Sequence, residues 1–445
     1  MRVLNLVHQY LPEYVGGVEL YTQSLAHELV RRDWEVGVFY RSYCAANTLT
    51  VSSESASSES AGSESASSES ASSESGGSES GGDRGSVVTF AAADGALAPT
   101  PRFLATWRQP ALHAHWLAVL EQFPPDLVHV QHLMGLPTSL LDVLRARRIP
   151  YIVTLHDYWW QCANANLLTN YDATPCDGPQ AYLNCTRCAV ARAGSTATWG
   201  AAPLLWGLLA DRNRRLHPLL ARAAALLTPS EFVRRWYAAH GAPARHLQAV
   251  RLGVTPPPQP VVRRKSPDAG VNLLYLGGLA PNKGVHVVLE ALRGVTGAIR
   301  LSIAGDETAN PAYVSTLRHL ADARVAFLGR LTRAEIWRAL AAADAVVVPS
   351  LWHETFCFAA HEALTAGAPV LASAMGALTD AIRDGVDGLL LAPGDVEVWR
   401  AALQSLVDAP VRLATLRAGI VAPRQLAEHV DQIEAIYHEI LAGAA

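Results

Sequence analysis

Two glutamates in the C-terminal part of the sequence, Glu354 and Glu362, have the residue type and spacing to bind a sugar that carries a diphosphate. Carboxylate oxygens accept hydrogen bonds from sugar hydroxyls, and a glutamate about two helical turns further on can hold the vicinal hydroxyls of a ribose. The spacing alone fits an ordinary helix equally well. In that case Glu354 is an acid favoured by the helix dipole and Glu362 a solvated surface residue.

The elements predicted around this pair would direct it towards one point. The apolar run 345–348 is typical of a parallel strand covered on both faces. Apolar residues at helical spacing then predict a helix over 356–366. In an open parallel sheet, ligands bind where strand C-termini meet helix N-termini, whose first N–H groups attract anions. The segment therefore predicts a phosphate site beside two carboxylates.

Two glycine-containing turns are further candidates for phosphate binding. The loop 276–284 follows a predicted strand, and its Gly278 permits close approach of a ligand while Lys283 supplies a cation. Its spacing is not that of a P-loop. Gly16 and Gly17 stand between the first predicted strand and helix, where they fit either a phosphate cradle or a tight turn.

A histidine closes the apolar strand predicted over 151–155. His156, followed by Asp157, lies at the strand end where active sites of parallel sheets form. It can hydrogen-bond a reacting phosphate or sugar hydroxyl, or serve as a structural histidine bonded to nearby backbone. Three weaker candidates lie at or near other strand ends: His8, His129 and His132.

Four cysteines fall within one short segment, and they are Cys162, Cys176, Cys185 and Cys188. The last two have the CxxC spacing of a metal knuckle, whereas the first two are farther apart than in common zinc ribbons. In a cytosolic chain such cysteines fit Zn²⁺ better than disulfides. The cluster is therefore a candidate structural site for zinc or, with the same ligand count, for an iron–sulfur cluster.

Composition limits the class of protein. A chain of 445 residues, half of them hydrophobic, suggests two domains. It has no apolar run of transmembrane length, and its N-terminus lacks the features of a signal peptide, so a cytoplasmic location is expected. The net charge of −4 includes six glutamates in segment 52–81, and without them the charge is +2. This near-neutral balance argues against nucleic-acid binding.

The order of predicted elements indicates an α/β protein with two Rossmann-like, doubly wound domains. The N-terminal domain, 1–228, contains a Ser/Glu repeat at 52–82, expected to be a disordered loop, and a cysteine-bearing insert at 157–192. A linker is predicted at 229–270, where prolines are frequent towards the end.

A second α/β domain is predicted at 271–425, and an amphipathic helix at 426–445 closes the chain. Two such domains facing across a cleft provide a common location for a ligand. The aromatic, apolar and then basic segment 199–215 fits contact with an anionic membrane, but a buried helix with a polar end is favoured.

These segments, in this order, resemble the retaining glycosyltransferases of family 4, the group 1 type with the GT-B fold. The resemblance covers nearly the whole chain outside 52–81. Segment 345–373 is similar to the family's Glu-x7-Glu signature and 275–284 to its donor loop. GGVELYTQSLAHELVRRDWEVGV is similar to the N-terminal glycine loop and helix, and IVTLHDYW to the strand that ends in an active-site histidine.

The resemblance implies a nucleotide-diphospho-sugar donor bound mainly by the C-terminal domain and a saccharide or lipid-linked acceptor bound mainly by the N-terminal one. It implies that Lys283 neutralises the diphosphate, Glu362 holds the ribose and Glu354 contacts the donor sugar. His156 would lie beside the reacting centre, and Gly16 and Gly17 would approach the phosphates.

Three positions depart from the family pattern and bear on donor identity. Gly278 stands where an arginine is frequent, Cys357 replaces the glycine usual after Phe356, and Asp380 stands where a glutamate is common. Gly278, Phe356 and Cys357 are nevertheless expected in the donor site.

The family implies transfer with retention, in polysaccharide or glycolipid synthesis. With the expected cytoplasmic location, peripheral contact with the inner face of a membrane is left open. The alternatives are a sugar-nucleotide epimerase or hydrolase of the same fold, and a non-catalytic nucleotide-sugar-binding protein. Pyridoxal phosphate is not expected, because the two lysines, Lys265 and Lys283, fall in the linker and the donor loop.

Overall fold

A computed structural model describes residues 1–42, 48–55, 85–93, 99–107, 109–194, 196–257, 259 and 270–444. The chain divides into two compact units, one of residues 1–154 with 430–445 and the other of residues 155–429. Most of the Ser/Glu repeat predicted to be a disordered loop lies outside the described residues. Its first residues, 52–55, are described, and they form the end of a strand instead of a loop.

The first unit contains six strands that pair in the order β3-β4-β2-β1-β5-β6. The strands are β1 Arg2–Val7, β2 Glu35–Ser42, β3 Leu49–Ser55, β4 Ser86–Ala93, β5 Leu127–Val130 and β6 Tyr151–Thr154. All neighbours pair in parallel except β3, which is antiparallel to β4. Strands β1 and β5 are almost completely buried, as continuous apolar runs in parallel sheets are.

The helices of the first unit lie between these strands: α1 Gly17–Arg31, α2 Pro99–Leu104, α3 Pro110–Gln122 and α4 Ser139–Ala146. The predicted closing helix is α15, Leu426–Ala444, of which residues from Val430 onward belong to this unit. It packs through Tyr437, whose hydroxyl lies 2.6 Å from Nδ1 of the buried His129. His129 therefore has a structural partner within this unit.

The second unit contains a six-stranded, entirely parallel sheet in the order β11-β10-β9-β12-β13-β14. Its strands are β9 Val271–Leu276, β10 Ile299–Ala304, β11 Val325–Gly329, β12 Ala345–Val348, β13 Val370–Ser373 and β14 Gly388–Leu391. Two further strands of this unit, β7 Ala225–Thr228 and β8 Leu247–Ala249, pair in parallel with each other.

The helices of the second unit are α5 Leu183–Ala193, α6 Ala202–Arg222, α7 Glu231–Ala239, α8 Val285–Arg293, α9 Pro311–Leu320, α10 Arg333–Ala342, α11 Phe358–Thr365, α12 Leu378–Ala381, α13 Val396–Asp408 and α14 Val411–Ala418. They cover both faces of the sheet. Leu273 and Val347 pack in one apolar cluster with α8 and α13, whereas Leu274 and Val346 pack in another with α10 and α11. This alternation explains the uninterrupted apolar character of the strands.

Two sequence predictions differ from the observed elements. The range 229–270, predicted as a linker, begins with α7 and β8, because the apolar and aromatic residues of this part are built into regular structure. The prediction of a buried helix for 199–215 is wrong for its beginning, since Trp199, Leu204 and Trp206 are exposed. Only later residues of α6, such as Leu209, are buried. Within the described ranges, every helix is too short or too polar to cross a bilayer.

Candidate functional site

The loop after β12 holds Glu354 in a fixed position. The side chain is 5% exposed. Its Oε1 atom accepts hydrogen bonds from Ser350 Oγ at 2.6 Å, Lys283 Nζ at 2.8 Å and Trp352 Nε1 at 2.9 Å. No described residue donates to Oε2, so this oxygen retains its capacity to accept a hydroxyl of a ligand. The structure thus brings Glu354 and Lys283 together, as the two sequence motifs required.

Lys283 ends a short 3-10 helix, Pro281–Lys283, in the loop after β9. Burial lowers the pKa of its ammonium group, but the neighbouring Glu354 carboxylate more than compensates, and the pKa is raised. The ammonium also lies 4.9 Å from the ring centroid of Trp352. Lys283 therefore remains a cation beside the buried Glu354 carboxylate, where its charge can act on a phosphate.

Two glycines that sequence reasoning missed allow these loops to meet. Gly284 has φ +70°, and a Cβ there would lie 1.9 Å from the carbonyl oxygen of Pro349. Gly376 has φ +60°, and its Cβ would lie 2.5 Å from backbone atoms of Glu354. Glycine is favoured at both positions because another backbone segment approaches closely and because the φ angle is positive. Neither signal is visible without knowing which loops are neighbours.

Glu362 lies in α11 and is 6% exposed. Its Oε1 is 2.5 Å from Nη1 of Arg333, the first residue of α10. Burial raises the pKa of the Glu362 carboxyl, and the charge and hydrogen bond of Arg333 oppose this rise. Arg333 was not among the predicted residues, because an arginine at the start of a helix usually faces solvent. It provides the second cation of the site.

Helix α11 begins at Phe358, two residues later than predicted, because Cys357 adopts a left-handed conformation with φ +69°. A glycine takes this conformation without strain, which explains why a glycine suits this position. Burial raises the pKa of Cys357 to about 12, so its sulfur is a neutral thiol. The ring of Phe356 stacks on that of His361, with the ring centroids 3.8 Å apart. Its ring therefore packs within the protein, and only its backbone remains to contact a donor.

The other predicted donor residue of this unit, Gly278, faces open space. Its carbonyl oxygen accepts a hydrogen bond of 2.7 Å from Tyr275, and a Cβ added to it would meet nothing within 4 Å. The position where related sequences have an arginine is consequently free of steric restriction. Lys283 and Arg333 are the cations that the described residues bring to the two glutamates.

His156 follows β6 and is buried. The next residues are tied to α7 and to their own turn, since Tyr237 donates to the Asp157 carbonyl at 2.7 Å and the Asp157 carboxylate accepts from the Trp159 N–H at 2.8 Å. Burial, followed by the charge of Glu354, raises the pKa of Tyr158. The segment after His156 is therefore within electrostatic reach of Glu354. The role of His156 itself stays a prediction.

In the first unit, Gly16 and Gly17 begin α1, as predicted. Glu19, a buried residue of the first helical turn, lies against them: a Cβ on Gly16 would be 2.5 Å from its Oε2. Burial raises the pKa of Glu19, while hydrogen bonds from the backbone of residues 16 and 19 and from Gln9 oppose the rise. The amide groups expected to cradle a phosphate thus already bind a carboxylate. An acid in a first helical turn was the available signal.

The four clustered cysteines are all free thiols. Cys188 accepts hydrogen bonds of 3.1 Å from the Asn164 side chain and from the backbone N–H of Asn170. Burial, and then the charges of Cys162, Cys176 and Cys188, raise the pKa of Cys185 to about 12. In the described part of the chain, no three His, Cys, Asp or Glu side chains are arranged to hold a metal ion. The predicted zinc or iron–sulfur site therefore receives no support.

Comparison with known families matches both halves of the chain. The model of the family described as Glycosyltransferase Family 4 matches residues 15–257, which is more than half of the chain. The model described as Glycosyl transferases group 1 matches residues 270–409. The second range includes both glutamates, Lys283 and Arg333. The resemblance inferred from the motifs is thus confirmed.

Curated relatives align with part of the chain. Glycogen synthase of Mycobacterium tuberculosis is 33% identical over 189 residues, which are 42% of this chain and 45% of that protein. D-inositol 3-phosphate glycosyltransferase of Mycobacterium marinum is 35% identical over 161 residues, 35% of this chain and 33% of that protein. The chain thus spans less than half the length of these two relatives.

Solved structures resemble the whole chain. The Anabaena protein HepE in complex with UDP has a TM-score of 0.64 and 16% identity, with 99% of this chain and 100% of that one covered. Sucrose-phosphate synthase from Thermosynechococcus elongatus has a TM-score of 0.66 and 17% identity, with 99% of each chain covered. At these identities the likeness concerns the fold, and it confirms the predicted α/β class and GT-B architecture.

Proposed function

Because the chain belongs to Glycosyltransferase Family 4, we propose that it transfers a sugar from a nucleotide-diphospho-sugar to a hydroxyl of an acceptor. The observation that carries this proposal is the contact of 2.8 Å between Lys283 and Glu354. It combines, at the ends of β9 and β12, a cation for a diphosphate with a carboxylate for a sugar.

Each partner of this contact has a distinct role in donor binding. The Lys283 ammonium offsets the negative charge that develops on the leaving diphosphate, together with the uncapped N-terminus of α11. Glu354 is held through Oε1 and offers Oε2 to a hydroxyl of the donor sugar. Glu362 binds the ribose, and the charge of Arg333 opposes the rise that burial causes in the pKa of its carboxyl. Gly278 and the backbone of residues 356–357 line the remaining donor surface.

The stereochemistry we propose is retention by front-face transfer. The departing diphosphate helps to remove the proton of the acceptor hydroxyl, and His156 lies beside the reacting centre. Positioning and electrostatic stabilisation then account for the acceleration. This proposal rests on family membership and on the absence, among the predicted site residues, of an evident nucleophile for a double displacement.

UDP-sugars are the first donors to test, because structures of the related Anabaena protein contain UDP, UDP with glucose, and UDP-glucose. The acceptor we propose is a saccharide or a lipid-linked hydroxyl in polysaccharide or glycolipid synthesis. Support comes from relatives named glycogen synthase and inositol 3-phosphate glycosyltransferase. We place the reaction in the cytoplasm, at the inner face of a membrane. The donor-binding domain is 271–425, and 1–228 is the acceptor side.

A donor screen tests the proposal. Release of nucleoside diphosphate is measured for UDP-, GDP- and ADP-sugars, with and without saccharide and lipid-linked acceptors, for wild type and Glu354→Gln. The substitution keeps the size of the side chain but weakens the acceptor of three hydrogen bonds. Glu397→Gln, in an exposed ion pair of α13 with Arg400, is the matched control.

Acceptor-dependent release by wild type and the control, with a loss of at least about 100-fold in Glu354→Gln, is the expected result. The anomeric configuration of the product then decides between retention and inversion. Release without any acceptor would replace the proposal by a hydrolase or epimerase. Donor binding without turnover across the acceptor panel would replace it by a nucleotide-sugar-binding protein.

A further inference from the structure

The second unit exposes an unusual group of large apolar side chains. Leu183, Trp199, Leu204 and Trp206 have exposed fractions of 69%, 53%, 65% and 45%. We call these four residues the apolar tip. They include both tryptophans that are exposed in the described part of the chain. Single exposed hydrophobic residues are normal, but several large ones within a short segment mark an interaction surface.

The elements that carry the four side chains pack against one another. Helix α5 packs against α6, and the 3-10 helix Thr196–Ala201 contacts both and leads directly into α6. The indole N–H of Trp206 donates to the carbonyl oxygen of Ala181 at 2.7 Å, which brings the beginning of α6 beside the beginning of α5. The later part of α6 is anchored by buried residues such as Leu209 and Leu216. The apolar tip is therefore held on a packed support.

The tip is flanked by positive charge. Residues 183–215 contain five arginines and a single acidic residue, Asp211. Arg214 and Arg215 pair with Asp211. Arg187 and Arg192 are exposed. Arg187 stacks on Tyr171 and lies within electrostatic reach of the exposed Asp172 carboxylate, whereas Arg192 donates a hydrogen bond to the Asn164 side chain. Arg187 is one turn from Leu183 on α5, so both lie on the same face.

This combination identifies the chemistry of the occupant. Tryptophan and leucine side chains enter the boundary between lipid headgroups and acyl chains, and neighbouring arginines bind headgroup phosphates. A protein partner would have to be both apolar and acidic at the same place. An anionic bilayer supplies both properties over an extended surface, and it tolerates a tip whose helix ends protrude.

We propose that the beginnings of α5 and α6, with the 3-10 helix between them, dock on an anionic lipid bilayer. The apolar tip inserts at the interface, while Arg187 and Arg192 contact headgroup phosphates. This surface contains none of the residues that bind the donor in the proposed reaction, and the docking does not depend on that reaction. Its effect is to concentrate the protein where a lipid-linked acceptor is presented.

Vesicle co-sedimentation tests the surface. The full chain is mixed with vesicles of phosphatidylglycerol and phosphatidylcholine, or of phosphatidylcholine alone, at low and high salt. Wild type is compared with Trp199→Ser/Leu204→Ser and with Arg187→Gln/Arg192→Gln. The matched control is Val411→Ser/Val421→Ser, which removes two apolar side chains of the same unit that are 72% and 67% exposed. Circular dichroism and melting curves establish that each variant is folded.

Wild type and the control are expected to bind anionic vesicles alike, with affinity falling as salt rises. The serine variant should lose at least about 10-fold in affinity, and the glutamine variant should lose most of the preference for anionic lipid. Turnover of a water-soluble acceptor should be unchanged in both, which separates this proposal from the reaction. Equal vesicle binding by all variants, or no binding by wild type, overturns the proposal. So does a concentration-dependent dimer that only the serine variant loses.

Discussion

Each unit contains a strand–loop–helix segment with a glutamate close to the beginning of a helix. The two segments differ in whether a carboxylate of the protein binds the free amide groups at the helix N-terminus. In the first unit, the carboxylate of Glu19 occupies the amide groups at the beginning of α1. In the second unit, α11 has no acidic residue in its first turn, and Cys357 provides no side-chain cap. A ligand anion binds helix amides that the protein leaves unoccupied. The comparison favours the second unit as the place where phosphates bind.

The carboxylates of the two segments also differ in their partners. Glu354 and Glu362 are both buried, and each contacts a cation, Lys283 and Arg333 respectively. Glu19 contacts Gln9 and lies 3.8 Å from His8. A site that combines anionic sugar-binding groups with cations can hold both parts of a sugar diphosphate. Glu19, a buried carboxyl with polar neighbours, instead fixes the loop before α1.

The largest effect is expected from Lys283→Ala. It removes the cation that stabilises the leaving group, and losing such a preorganised charge typically costs about 10²–10³ in rate. Transfer is measured at saturating donor, so that the loss appears in kcat. Glu397→Gln, which weakens the exposed ion pair with Arg400 on α13, is the control and should retain full activity. Undiminished kcat in Lys283→Ala would remove the lysine from the mechanism.

Arg333→Met should change the pH dependence of donor binding. Burial raises the pKa of Glu362 and Arg333 opposes the rise, so losing the arginine raises that pKa further. Protonation abolishes the carboxylate that we propose accepts the ribose hydroxyls. As the pH falls, the KM for the donor should therefore begin to increase at a higher pH in the variant than in wild type. The kcat should change little. Arg333→Lys should restore the wild-type profile, and superimposable KM profiles for all three would contradict this role.

Glu19→Gln tests the first unit, with a smaller effect on stability. The folded state raises the pKa of Glu19, so it binds the proton more tightly than the unfolded chain. This carboxyl consequently favours folding at low pH, and its contribution is lost as the pH rises from the ordinary glutamate value through the raised one. The variant should show a smaller decrease of unfolding free energy over that range, measured by urea denaturation. An unchanged pH slope would show that the carboxyl is not perturbed.

The smallest effect is expected from Cys357→Gly. A side chain at φ +69° costs roughly 1 kcal/mol that glycine avoids, although glycine also increases the entropy of the unfolded chain. The balance should leave the melting temperature within a few degrees of wild type and donor affinity unchanged. Ala359→Gly, inside α11, should lower stability and is the control. A large loss of donor binding in Cys357→Gly would assign the thiol a direct contact.

The site was predictable from the sequence where the fold alone determines proximity. Lys283 and Glu354 follow β9 and β12, which are neighbours in a parallel sheet, so loops at the same edge meet. Arg333 and Glu19 were not found, because their partners depend on side-chain directions that spacing does not specify. Gly284 and Gly376 are explained only by the backbone atoms beside them.

Prediction from the sequence failed where a residue pattern does not determine the surroundings of the side chains in the folded protein. The apolar residues around Trp199 predicted burial, since hydrophobicity indicates contact with something apolar but does not say whether that is the protein's own core. The cysteine spacing predicted a metal, yet among the described residues no three potential ligands are placed to hold a metal ion. Local spacing does not determine the separation of residues that lie on different loops.

The most direct test of the central claim is calorimetric titration of UDP into wild type, Lys283→Met and Glu19→Gln. If phosphates bind in the second unit, Lys283→Met should weaken UDP binding by at least about 10-fold, because one charge partner of the diphosphate is lost. Glu19→Gln should change the affinity less than about threefold. The opposite order, with Glu19→Gln altering UDP affinity strongly and Lys283→Met leaving it unchanged, would contradict the assignment of donor binding to the Lys283–Glu354 pair.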